Sequence, residues 1–331
     1  MTIARTISAA LFLLTAQPAL AQPEDAASYP SRTVRIVVPS APGGPIDAVA
    51  RIMADAFRGA WPVPVVVENK PGAGTSTGGV FVAQSAPDGY TLLVNPDSIA
   101  VNPSLYPNLA YDPIKSFEPV SLLMTATQVL VVRPDLGVSS LKEFIELAKS
   151  KDGGLNIASA GGGTISHLTG VLLEQRANFK TTHVPFRGAA PALSAMLGGH
   201  VDGMWVMLAP AVPHLRSGKL KAVAVTAAQR DPELPAVPTA GESGVSDFQV
   251  ENWQALFAPA GTPKPIVDKI AQTVVEVLKK PEVAGRPNHG LAARLLIDPR
   301  GDGGAVVTGL IRSSMPKWAD VVKRANIQAP Q

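Results

Sequence analysis

Val34-Arg35-Ile36-Val37-Val38-Pro39-Ser40-Ala41-Pro42-Gly43-Gly44-Pro45 decides the fold: an apolar run, a glycine loop, then a helix start. Ile46, Val49, Ala50, Met53 and Phe57 follow at the spacing of one helical face, with Arg51, Asp55 and Arg58 on the other. The plan returns further on. Leu155–Ala158 leads into Ser159-Ala160-Gly161-Gly162-Gly163-Thr164, and Ile165, Leu168 and Leu172 then share a face. Glycine lets a backbone bring its N–H groups close to a ligand, and the dipole of the following helix favours an anion there. Taken singly, such a loop is an ordinary tight turn. Two in matched settings are expected to face each other across a cleft, because open α/β sheets bind ligands beyond the carboxyl ends of their strands.

Outward from these stretches, runs rich in Val, Ile and Leu alternate with segments of helical period, as in βαβ units. Strands are expected at 34–38, 63–67, 91–94, 129–132, 155–158, 182–184, 203–206, 220–226 and 254–257. A long helix should follow Pro263, with Ile266, Ile270, Val274, Val277 and Leu278 inward, and a last one should run from Ala305 to Arg324. Residues 106–119 and 231–244 read as Pro-rich loops.

The chain has 331 residues, enough for about two domains. With 46% hydrophobic and 17% charged residues it is globular rather than disordered. The net charge is +3, and the basic residues are dispersed with no run to track phosphates, so no nucleic acid partner is expected. No Cys is present, which removes disulfides, thiolate chemistry and Cys-based zinc sites. Neither glycine loop continues as a nucleotide-binding P-loop, and Gly72-Ala73-Gly74 fails to complete a dinucleotide fingerprint because Thr77 stands at the third glycine position. The five His residues are scattered without metal-ligand spacing, and no acid/base pair is suggested, so no metal and no cofactor is expected.

Residues 1–21 read as a signal peptide. Arg5 precedes an apolar run from Ile7 to Ala16, Pro18 breaks it, and Ala19-Leu20-Ala21 has the small-x-small form of a cleavage site. The run is shorter than the roughly 20 residues that span a bilayer. Cleavage after Ala21 and residence in the periplasm are expected.

The chain resembles the substrate-binding proteins of tripartite tricarboxylate transporters, the Bug receptors. The likeness runs from Tyr29 to about Ile327. It rests on Tyr29-Pro30-Ser31-Arg32, Gly43-Gly44 with Asp47, Val67-Glu68-Asn69-Lys70-Pro71-Gly72-Ala73-Gly74 and Pro87-Asp88-Gly89-Tyr90-Thr91. Asn102-Pro103-Ser104-Leu105-Tyr106, Tyr111-Asp112-Pro113, His183-Val184-Pro185-Phe186-Arg187-Gly188 and Ala258-Pro259-Ala260-Gly261-Thr262-Pro263 continue it. The resemblance implies an α/β, two-lobed type II periplasmic-binding-protein fold, with two α/β domains around a ligand cleft. By analogy lobe 1 takes residues 22–125 and 247–331, and lobe 2 takes 126–246. It also implies a small carboxylate ligand, membrane permease subunits as partners, a monomer and no catalysis. Carried over residue by residue, the ligand site would comprise Ala41, Pro42, Gly43, Gly44 and Asp47 in the first loop. In the second it would comprise Ser159, Gly161, Gly163, Thr164 and His167.

The chain departs from the family at Trp205-Val206-Met207, where Phe-Asp-Asn is frequent. Trp205 is therefore expected beside the ligand, in a pocket less polar than that of a dicarboxylate receptor. Alternation along a strand puts Trp205 and Met207 on the face opposite Val206. A ligand with one charged and one apolar end would suit such a pocket better than citrate. A secreted enzyme of the same architecture, acting on a carboxylated substrate, is the alternative left open, since catalytic triads are not local in sequence.

Overall fold

The computed structural model describes residues 25–280, 283, 294–295 and 303–329. The expected signal peptide and its cleavage site lie outside the described residues. The chain builds two halves, each with a parallel-stranded core, and one long strand runs through both. In the first half β1 (Val34–Val38) lies between β2 (Val65–Asn69) and β3 (Thr91–Pro96), parallel to both. β3 then pairs antiparallel with β9 (Glu251–Pro259), and β9 with β4 (Phe117–Val132). In the second half β5 (Asn156–Ser159) lies between β6 (Thr182–Pro185) and β7 (Gly203–Met207), again parallel to both. β7 and β8 (Lys221–Val225) flank the far end of β4, both antiparallel to it. A short β10 (Arg294–Leu295) pairs with Met124 and Thr125 in the middle of β4.

β4 is the bridge. Residues 117–127 pair with β9, and residues 128–132 pair with β7 and β8. Only its second half, rich in Val and Leu, was legible as a strand; Phe117–Pro119 had read as loop. Pro119 has no N–H to give a ladder, and the pairing register slips between Pro119 and Ser121, the irregularity a strand needs to admit proline. Thr226 stitches the crossing together. Gln128 N–H donates to its Oγ1 at 3.2 Å, Thr226 N–H donates to the Gln128 carbonyl at 3.0 Å, and its hydroxyl donates to the Val250 carbonyl.

Each half is a sheet with helices on both faces. α1 (Pro45–Arg58) and α8 (Lys264–Leu278) cover one face of the first sheet, burying Met53, Phe57, Ile270 and Val274 against Ile36 and Leu92. α2 (Ser76–Ala83) and α3 (Ser98–Leu105) cover the other. In the second half α4 (Leu141–Ser150) and α5 (Ile165–Ala177) pack against Leu130 and Ile157. α6 (Ala189–Leu197) and α7 (Leu208–Arg216) close the opposite face. The last helix, α9 (Gly303–Arg324), belongs to both halves. Val307 and Ile311 join the first core, whereas Trp318, Val321 and Val322 join the second. Among the described residues no helix is long and apolar enough to cross a membrane.

In each half the central strand, β1 or β5, has neighbours reached in opposite directions along the sheet. That is the switch point at which an open α/β sheet leaves a crevice. Both glycine loops stand there.

Candidate functional site

A cavity of about 330 Å³ opens between the halves, beyond the carboxyl ends of β1 and β5. Helix starts converge on it. Pro45 and Ile46 come from the first turn of α1, Thr75 from the loop entering α2, and Ser98 from α3. Ile165 and Ser166 come from α5, Ala189 from α6 and Pro210 from α7. The walls between them are apolar, with Leu105, Met124, Met204, Val206 and Met207. The floor, on β4 and β9, is polar: Gln128, Asn252 and Gln254, beside Asp97. No Lys, Arg or His is among the described residues lining the cavity. Its attraction for an anion comes from helix dipoles and unpaired N–H groups instead.

The two glycine loops are braced from behind. Gly43 N–H donates to Asp47 Oδ2 at 2.8 Å. Asp47 also receives a two-pronged contact from Arg51 at 2.8 and 3.0 Å and one from Asn69 Nδ2 at 2.9 Å. Burial opposes ionisation of Asp47, but Arg51, the Gly43 N–H and Asn69 together hold its carboxyl below the ordinary range. In the second loop Gly161 N–H donates to Ser159 Oγ at 3.1 Å, and Gly163 N–H to His167 Nδ1 at 3.1 Å. Thr164 caps α5, its hydroxyl accepting from His167 N–H. His167 stacks on His183 with ring centroids 3.6 Å apart. Burial, and then the neighbouring His183, push the His167 pKa down to about 4, so the ring stays neutral and its Nδ1 stays an acceptor.

This bracing moves the anion-receptive groups one step along the chain from where the sequence put them. Of the expected residues, Gly163 and Thr164 line the cavity. Ala41, Pro42, Gly43, Gly44, Asp47, Ser159, Gly161 and His167 are not among its lining residues. Among the described residues, the N–H groups of Ile46 and Asp47 at α1, and of Gly162, Ile165 and Ser166 at α5, meet no protein acceptor. Ile46, Asp47, Ile165 and Ser166 lie in the first helical turn rather than in the glycine loop.

Trp205 is elsewhere. It is 1% exposed, packs against Phe248 with ring centroids 5.5 Å apart, and belongs to the core under α5. Strand alternation separates it from Met204 and Val206, which do face the cavity. Met207, which alternation had placed with Trp205, also lines the cavity, because the chain leaves β7 there to cap α7. The less polar wall expected of this segment is thus built by Met204, Val206 and Met207 without the indole.

Other lining residues carried no local sequence signal. Asp97, Gln128 and the Asn252–Gln254 segment are far apart in the chain and meet only because β3, β4 and β9 are neighbours. The Gly72–Thr75 loop, which fails as a dinucleotide fingerprint, is a third wall. Asn102 Nδ2 pins it through the Gly74 carbonyl at 3.0 Å, and Thr75 Oγ1 meets Ser98 Oγ at 2.8 Å.

Ser159 Oγ lies 2.6 Å from His183 Nε2, a contact with the form of a nucleophile and its base. Neither residue lines the cavity, and Ser159 is 1% exposed. The pair supports the loop from behind. No group of three His, Asp or Glu residues able to hold a metal occurs among the described residues.

The family model described as "Tripartite tricarboxylate transporter family receptor" matches residues 49–321. Protein BugT of Bordetella pertussis is 33% identical over 315 residues, covering 95% of this chain and 94% of its own. The structure of the periplasmic binding protein BugD superposes with a TM-score of 0.77 at 37% identity, over 91% of this chain and 99% of that one. MatC from Rhodopseudomonas palustris, solved with bound malate, gives 0.76 at 39% identity, over 89% and 100%.

Proposed function

The chain belongs to the tripartite tricarboxylate transporter receptor family, and from that premise we propose that it captures one small carboxylate in the periplasm and delivers it, chemically unchanged, to membrane permease subunits. Its two α/β lobes are those of a periplasmic binding protein. The observation that carries the ligand class is a cavity lined from one half by Ile46 and from the other by Gly162, Ile165 and Ser166, whose N–H groups meet no protein acceptor, with no cation among its described lining residues. Hydrogen bonds to a charged group contribute about 1.5–3 kcal/mol each. Micromolar binding needs about 8 kcal/mol. Four or five such N–H groups are sufficient without an Arg clamp. The relative MatC is solved with malate, a hydroxy dicarboxylate, and a carboxylate is the part of that ligand this reading carries over.

The rest of the ligand lies against Ile46, Met204, Val206 and Met207. Burying an alkyl or ring body there contributes about 25 cal/mol per Å². A second ionised carboxylate against the same wall would lose water without gaining donors. The lobes in this reading are 22–125 with 247–331, and 126–246. Export follows cleavage after Ala21, and the receptor acts as a monomer.

A thermal-shift screen over aliphatic, aromatic, di- and tricarboxylates tests the ligand class. The reading expects stabilisation by at least one acid with a single carboxylate and an apolar body, and weaker shifts from citrate. Citrate as the strongest ligand would overturn the assignment of the apolar wall, and no shift from any carboxylate would overturn the receptor reading. N-terminal sequencing of exported protein should begin at Gln22.

A further inference from the structure

Gln128, Asn252 and Asp97 form a directed hydrogen-bond chain across the floor of the cleft. Gln128 Nε2 donates to Asn252 Oδ1 at 2.9 Å, and Asn252 Nδ2 donates to Asp97 Oδ2 at 2.8 Å. An ionised carboxylate can only accept. Asp97 therefore sets which way the Asn252 amide points, and Asn252 sets Gln128 in turn. The chain ends on Gln128 Oε1, an acceptor with no donor left to meet it. That atom is buried and unpartnered, in a side chain 1% exposed.

A second orphan lies close by. Gln254 follows Asn252 by two residues on β9, so both point from one face of the strand. Its Oε1 is likewise buried without a partner, in a residue 4% exposed. Both glutamines line the cavity. Buried polar atoms in native proteins are satisfied by protein, water or ligand. The floor thus offers acceptors, whereas the helix starts offer donors.

On the receptor reading above, we propose that the solute carries, besides its carboxylate, a hydrogen-bond donor head, a hydroxyl or an ammonium, accepted by Gln128, which Asp97 orients through Asn252, and by Gln254. The surroundings of Asp97 agree. Burial pushes its carboxyl up to about 7, against hydrogen bonds from Asn252 and the Trp253 backbone and the charge of Lys317 on α9. Lys317 itself is charge-coupled to Glu251 and Arg176. Asp97 is therefore ionised in mildly alkaline solution, and an ammonium head would keep it so.

Calorimetry at pH 8 with matched acids is the test: butyrate against its 2-, 3- and 4-hydroxy and 4-amino derivatives, and benzoate against the three hydroxybenzoates. At least one donor-bearing acid should bind roughly tenfold more tightly than its parent, the worth of one well-made hydrogen bond. Gln128→Leu should bring that ratio near one. Asp97→Asn should also lower it, because the amides of Asn252 and Gln128 are then free to turn and present N–H to the cleft. Parents that bind as tightly as every derivative would overturn the donor head while leaving the receptor reading standing, as would a ratio unchanged in Gln128→Leu. Binding of no carboxylate at all would overturn both. Should a variant fail to fold, the wild-type ratio alone decides.

Discussion

Gly163 faces Leu105 across the cleft, and a methyl group there is enough to disturb both partners. Its φ is +73°, and a Cβ would stand 2.7 Å from Leu105 Cδ1, a side chain of α3 in the other half. An alanine in this left-handed conformation costs about 1–2 kcal/mol. It must also push aside Leu105, whose side chain packs into the second core. Gly163→Ala should lower the melting temperature by a few degrees and weaken carboxylate binding by about tenfold or more, measured by scanning fluorimetry and calorimetry. Trp205→Ala should behave differently. Removing a fully buried indole costs about 3–5 kcal/mol, read by denaturant unfolding. The ratio of aromatic to alkyl carboxylate affinities should stay as it was, since the indole does not reach the cavity. Gly163 and Thr164 could be read from the sequence because their loop is local. The inward turn of Trp205 could not, because alternation gives two faces without saying which faces the ligand.

The β5 to α5 connection is the element whose stability depends on an uncharged pair of rings. His167 accepts from Gly163 N–H through Nδ1, and protonation of that nitrogen would break the contact. Its folded pKa, about 4, lies below the ordinary 6.5. As pH falls, the unfolded chain takes up the proton first. The contribution is therefore complete above about 6.5 and is lost as pH falls towards 4. Burial lowers the His183 pKa as well, in the same direction. Urea unfolding at pH 7.5 and pH 4.5 should show a loss on acidification, and His167→Phe, which keeps the stack but not the proton, should show a smaller one. Among the elements, β1, α1 and α8 were legible because their patterns are long and regular. α4 was missed although its start is capped twice, Glu143 N–H donating to the N-cap Ser140 Oγ at 3.2 Å and Ser139 N–H donating to Glu143 Oε2 at 2.6 Å. The first half of β4 was missed because Pro119 reads as a breaker until its bulge is known.

At the scale of the whole molecule, capture of a solute brings two lobes together around a ligand. β4, β9 and the segment around Thr226 join them, and α9 packs into both cores. A solute held by α1 from one side and α5 from the other favours the closed arrangement only through contacts made better there. Solution scattering should show a smaller radius of gyration with a bound acid than without. Identical profiles at saturation would indicate a rigid cleft. The doubled strand, glycine loop and helix were enough to place that cleft from sequence. Its polar floor was not legible, because Asp97, Gln128, Asn252 and Gln254 come together only through strand pairing between distant parts of the chain. The central claim is that this cleft retains a small carboxylate and does not transform it. Native mass spectrometry of the exported protein, followed by denaturation and identification of what is released, tests this most directly. One acid per chain is expected, recovered with its original mass after prolonged incubation with the protein; conversion of that acid to a product would mean that the cleft does chemistry on it.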